Sequence, residues 1–230
     1  MRLLNTTTYE LSEFIGDVNL AYAILSHTWG SGEVLYQHIT SGTKDWYQLE
    51  GAVKVLKSCE VALSKGYDWI WIDTCCIDKS SSAELSESIN SMFRWYEKSG
   101  ICIAYLVDVS KRSFLGDDKI SRWFYRGWTL QELIAPPTVE FWDSDWVYID
   151  TKASLSKKLA DITKIDILVL RHTASERSRG RSWIRPVLNS IPVANIMSWA
   201  SRRQTSRPED MAYCLLGLFD INMPLLYGEG

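Results

Sequence analysis

Short unbroken apolar runs alternate along this chain with stretches in which apolar residues recur every three or four positions. The first run is Tyr22-Ala23-Ile24-Leu25-Ser26. Over 48–66, Ala52, Leu56, Cys59 and Leu63 fall at i, i+4, i+7 and i+11, the stripe of an amphipathic helix with Gly66 placed to cap it. Trp69-Ile70-Trp71-Ile72 reads as a strand ending at Asp73. Ser81-Ser82-Ala83-Glu84 reads as a capping box that opens a helix with Leu85, Ile89, Met92, Phe93 and Tyr96 inward. The run from Ile101 to Val107 is a third strand, and Val139-Glu140-Phe141-Trp142 a fourth. Between them a short helix carries Trp128 and Glu132 and stops at Pro136-Pro137.

Unbroken apolar strands separated by amphipathic helices predict a parallel sheet covered on both faces. Right-handed crossovers then make it an α/β, doubly wound, mainly parallel sheet. Residues 1–150 are expected to form this core. Residues 151–230 are expected to be a mainly helical extension packed on it, so that 1–230 is one domain. In the extension, 151–170 read as a helix with Leu155, Leu159 and Ile162 on one face, and Val193 to Ala200 as another. Ser206-Arg207-Pro208-Glu209 reads as a second capping box, opening a helix with Ala212, Leu215, Leu216 and Phe219 inward.

Net charge is −3, so the chain as a whole is not built to bind polyanions. Eight Arg lie between 171 and 207 with one acid, but aromatic residues among them are sparse; a solvated loop over 173–182 with intradomain ion pairs is expected, and nucleic acid is disfavoured. No apolar run approaches the roughly 18 residues that span a bilayer, and the N-terminus lacks a secretory core. Five cysteines without a framework spacing suggest a reduced, cytoplasmic protein. The abrupt ending at 223–230 is expected of a domain cut from a longer protein.

In a doubly wound sheet, ligands bind beyond the carboxyl ends of the strands. The unusual polar residues fall there. Strand one runs into Ser26, His27 and Trp29; strand two into Asp73, Cys75, Cys76 and Asp78; strand three leads to Arg126, Trp128 and Glu132. Trp128 and Glu132 are one helical turn apart and share a face. An aromatic plate beside a carboxylate suits a ribose or nucleoside, although spacing alone favours a buried Trp beside a surface Glu. His27 can be a base, a nucleotide contact or a structural residue. Vicinal cysteines are poor metal ligands, so no metal is expected. Neither glycine-rich phosphate-loop motif is present.

Five stretches together resemble the heterokaryon-incompatibility (HET) domain of filamentous fungi. They are the words Tyr22-Ala23-Ile24-Leu25-Ser26-His27-Thr28-Trp29-Gly30, Trp71 through Glu87, Arg126-Gly127-Trp128-Thr129-Leu130-Gln131-Glu132-Leu133, Arg207 through Gly217, and Met223-Pro224-Leu225-Leu226-Tyr227-Gly228-Glu229-Gly230. The resemblance implies a cytoplasmic effector of cell death in heterokaryon incompatibility. Such a domain is often joined in one chain to a NACHT-type nucleotide-binding module and a repeat-built sensor. It also implies a distant, flavodoxin-like kinship with TIR domains, whose active members cleave NAD with a Glu four residues after a Trp.

On that resemblance Glu132 is the catalytic carboxylate of an NAD glycohydrolase switched on by self-association. Ser26, His27, Trp29, Asp73, Cys75, Arg126 and Trp128 are its substrate-binding residues. NAD is then the substrate and no cofactor is needed. The alternative is a non-enzymatic module that self-associates and recruits a downstream executor.

Overall fold

The computed structural model describes residues 1–16, 20–171 and 182–228. Its strands are β1 (Arg2–Asn5), β2 (Leu11–Glu13), β3 (Ala23–His27), β4 (Trp69–Trp71), β5 (Ile101–Tyr105), β6 (Val139–Trp142) and β7 (Tyr148–Thr151). They form one sheet in the order β2-β1-β4-β3-β5-β6-β7. The four strands expected from their apolar runs are β3 to β6, and they are mutually parallel. Every residue of β3 and of β5 is buried, as a sheet covered on both faces requires.

The sheet is mixed rather than wholly of this kind. β1 pairs antiparallel with β2 and β4, and β7 pairs antiparallel with β6. These outer strands are short and mixed in polarity, so no periodicity announces them. The β1–β2 turn is held by Asn5, whose side-chain oxygen accepts from the amides of Thr7 and Thr8, both at 2.9 Å.

The chain steps from β3 to β4 on one side, then crosses back over β3 to reach β5 and β6. Right-handed crossovers put the connecting helices of the two directions on opposite faces. On one face lies α2 (Ala52–Ser64), and on the other α3 (Ser82–Lys98) and α5 (Thr129–Ile134), which pack together. Short helices α1 (Tyr36–Thr40) and α4 (Lys111–Leu115) lie in the connections. The extension holds α6 (Ser156–Thr163), α7 (Ile167–Arg171), α8 (Arg185–Asn189), α9 (Val193–Ala200) and α10 (Asp210–Phe219).

Several local expectations shift. The buried face of α2 centres on Val55, Ser58, Cys59 and Ala62, leaving Leu63 exposed. Gly66, at φ +83°, ends that helix as expected. The helix expected over 151–170 is two, broken where Lys164 adopts φ +61°. At α3 the capping box is half formed. Ser81 accepts from the Glu84 amide, but Glu84 reaches past it to the Asp78 amide at 2.8 Å and to Arg2. Ser206 caps nothing: α10 begins at Asp210, with Ala212 outward. The loop expected over 173–182 lies, apart from Ser182, outside the described residues.

The extension is more than an appendage, because α10 packs against both α3 and α5. That contact is close: a Cβ on Gly217 would meet the Phe93 Cβ at 2.2 Å. Beneath α5 the extension supplies Lys152, almost wholly buried, whose ammonium donates to the carbonyls of Leu133 (3.1 Å) and Pro136 (2.6 Å). It thus meets carbonyls left open at the helix C-terminus. At the other end the buried Arg203 donates to the Arg126 carbonyl and the Thr129 hydroxyl, both at 2.9 Å. No helix among the described residues is long and apolar enough to cross a membrane.

Candidate functional site

The carboxyl ends of β3 and β4, the start of α3, α5 and the head of α10 enclose a cavity of about 250 Å³. Six of the eight residues singled out from the sequence line it: His27, Trp29, Asp73, Arg126, Trp128 and Glu132. The other two do not. Ser26 is fully buried behind the wall, where its hydroxyl donates to Glu132 Oε2 and accepts from Trp123 Nε1 at 2.8 Å. It positions the carboxyl rather than touching a ligand. Cys75 is buried in the core, its thiol directed at the Ile72 carbonyl at 3.9 Å, because the turn after β4 points it under the sheet. Cys76 is likewise aimed at the Ile70 carbonyl.

The plain reading of Trp128 and Glu132 is inverted. Glu132 is the buried partner, while Trp128 is half-buried and packs against Ile89, Tyr213 and Leu216. A buried carboxyl loses its hydration, which disfavours the charged form. Burial therefore pushes Glu132 up to about 8; Ser26 and Tyr96 oppose this by hydrogen bonding, and the charge of Asp73 adds to it. The Tyr96 hydroxyl donates to the Leu25 carbonyl at 3.0 Å.

Asp73 behaves oppositely in the same cavity. Burial alone would raise it, but bonds from His27 and Trp29 and the nearby Lys79 hold it down at about 2. His27 Nε2 lies 3.0 Å from Asp73 Oδ1, and Trp29 Nε1 donates to Oδ2 at 2.8 Å. Lys54 Nζ lies 3.3 Å from His27 Nδ1 and has only protons to offer. Both ring nitrogens are committed, so His27 steadies Asp73 instead of serving as a free base. Two carboxyls in one cavity, one ionised and one protonated, is the arrangement that divides roles in acid–base sites.

Sequence reasoning missed Lys79, Arg207 and Tyr227, which also line the cavity. Lys79 closes the Asp73 word and was within sight. Arg207 and Tyr227 come from the extension; both lie in stretches that carry the family resemblance, but no strand end points to them. Gly127, ahead of Trp128, allows the extension to approach: a Cβ there would meet Thr205 Cγ2 at 2.5 Å. Its amide donates to the Gln204 carbonyl at 2.9 Å.

A family model described as "Heterokaryon incompatibility protein (HET)" matches residues 22–122, which hold β3, β4, β5 and the Asp73 half of the cavity. Vegetative incompatibility protein HET-E-1 of Podospora anserina is 43% identical over 219 residues, 91% of this chain. This chain carries a HET domain and belongs to that family. The family model stops short of α5 and α10, which form the other wall of the cavity. The chain spans 15% of the length of this curated relative. No solved structure matches the chain.

Proposed function

We propose that this HET domain is a cell-death effector in heterokaryon incompatibility that hydrolyses the nicotinamide–ribose bond of NAD. The observation that carries the reading is Glu132: a carboxyl raised to about 8, in a cavity at the carboxyl edge of the sheet, one turn from an aromatic ring. The order of the four parallel strands, second-first-third-fourth along the chain, is that of the flavodoxin-like sheet, which supports kinship with TIR domains.

In the proposed reaction the C–N bond to nicotinamide breaks and its electron pair leaves with the ring as neutral nicotinamide. Water adds to the ribosyl carbon and loses a proton, so NAD and water become ADP-ribose, nicotinamide and H⁺. The transition state is oxocarbenium-like. The substrate's pyridinium charge favours ionisation of Glu132 on binding. The carboxylate then stabilises positive charge developing on the ribose. Trp128 offers a flank for the sugar or base, and Ser26 holds the carboxyl in place. The leaving group departs neutral, which removes the need for a strong general acid.

Self-association as the trigger has its own support. Val193 and Met197, one turn apart on α9, are 63% and 48% exposed. The same pair favours the second reading, a non-enzymatic module that recruits an executor. Further modules in the same chain, of NACHT and repeat type, and a cytoplasmic setting complete the proposal.

The test is nicotinamide release from NAD by the purified protein at high concentration, followed by chromatography beside Glu132→Gln. Release by the wild type alone supports a glycohydrolase with Glu132 in its site. Toxicity that survives in a well-folded Glu132→Gln protein leaves the adaptor reading.

A further inference from the structure

Three cations line the cavity, and none has an ion-pair partner within 4 Å among the described residues: Lys79, Arg126 and Arg207. They differ in setting. Arg126 donates to the Ser206 hydroxyl at 3.2 Å and is the cation whose charge reaches Glu132. Lys79 sits at the Asp73 end, its ammonium 3.6 Å from the centre of the Trp29 ring. That nitrogen is buried without a hydrogen-bond partner among the described residues. On the α10 wall the Arg207 guanidinium lies 4.6 Å from the centre of the Tyr227 ring.

An ammonium removed from water and given no acceptor is costly, and one aromatic face offsets only part of that. Desolvation indeed lowers the affinity of Lys79 for its proton. Asp73 offsets part of this through its charge, but no cavity acid accepts a hydrogen bond from Lys79 among the described residues. Asp73 is engaged by His27 and Trp29, and Asp210 accepts from the Tyr227 hydroxyl at 3.1 Å. Trp29 and Tyr227 each carry one of these cations on a ring face, and all four residues line the cavity.

We infer that Lys79 and Arg207, stacked on Trp29 and Tyr227 in the lining of one cavity, form an anion subsite for the diphosphate of a dinucleotide. The ligand class is thereby narrowed to nucleotides with a phosphate bridge, and free nucleosides are excluded. The diphosphate oxygens supply the acceptors Lys79 lacks, and Arg207 adds a bidentate contact. Arg126, nearer Glu132, faces the adjoining ribose. Because Arg207 and Tyr227 belong to the extension, the subsite is complete only when α10 is docked on the sheet.

The inference rests on the nucleotide reading of the cavity but not on turnover, and ADP-ribose separates the two. This probe keeps the diphosphate and has no nicotinamide to lose. Titration of the full chain should show ADP-ribose binding that weakens with added salt. Lys79→Gln and Arg207→Gln should each weaken it by about 10-fold or more, the worth of a charge-assisted hydrogen bond. Lys79→Arg keeps the charge and should bind near the wild-type level. Unchanged affinity in both Gln variants, equal loss in Lys79→Arg and Lys79→Gln, or no ADP-ribose binding by the wild type would each overturn the subsite. ADP-ribose binding without nicotinamide release would leave it standing and defeat the hydrolytic proposal.

Discussion

The cavity at the carboxyl edge of the sheet holds about 250 Å³, whereas a cleft between α6, α9 and the 115–125 connection holds about 880 Å³. The larger space is the plainer one. Most of its charges sit toward water, Asp117, beside Lys158, being 82% exposed, and its buried cation Arg203 is bonded to the Arg126 carbonyl and the Thr129 hydroxyl. In the smaller space, burial and enforced neighbours drive two carboxyls in opposite directions and leave an ammonium without an acceptor. Volume therefore says little about chemistry here. What marks a site is charge held where water cannot stabilise it.

The sharpest way to break the contrast is Glu132→Gln, which keeps shape and removes the charge. Under the proposed mechanism NAD turnover falls by about 10²–10³-fold, as for loss of one group that stabilises transition-state charge. Stability should move the other way. A carboxyl raised from 4.5 to about 8 in the fold weighs on stability increasingly as pH rises through that range, because the unfolded chain ionises first. The variant should therefore melt above the wild type at pH 8, with the gap closing toward pH 4.5. A parallel expectation is that kcat/KM rises with pH up to about 8, as Glu132 ionises in the free protein.

Lys152→Ala tests the support beneath the site. It strands the carbonyls of Leu133 and Pro136 in the core, and denaturant unfolding should show a loss of about 2 kcal/mol or more. Asp73→Asn probes the opposite carboxyl. Asp73 is held at about 2, below its ordinary 3.8, so it stabilises the fold above pH 3.8, and that contribution is lost as pH falls toward 2. At pH 7 the variant should lose about 2 kcal/mol, a deficit that vanishes in acid. The smallest effect is expected in the large cleft. Lys157→Ala should change stability by less than about 0.5 kcal/mol and leave ADP-ribose binding untouched. A clear loss of binding there would mean that the wrong concavity has been chosen.

Much of this molecule was legible in the order of its residues. The unbroken runs of β3 and β5 announce buried parallel strands, and Gly66 announces a helix end. Trp29, Asp73, Arg126, Trp128 and Glu132 were found because they follow those strands in sequence, where such sheets bind ligands. Less could be read at the edges. β2 has three residues and β7 pairs only with β6, so neither repeats long enough to show a period. The α2 stripe was misplaced because Leu56 and Leu63 suggest one face and the smaller Val55, Ser58 and Ala62 pack on another. Both capping boxes matched a local pattern, but Glu84 and Ser206 found distant or different partners.

By itself the sequence determined the parallel centre of the sheet and the rim on which its polar words gather, because strand and helix periods are local properties of the chain. It could not decide the state of those words. Glu132 is a raised acid because the folded chain buries its carboxyl, while Ser26, 106 residues away, holds it by a hydrogen bond that only partly offsets the rise. The roles of Lys79, Arg207 and Lys152 likewise exist only once α10 and the end of the sheet have docked. Desolvation and charge coupling depend on distance in space, and only the tertiary structure sets those distances.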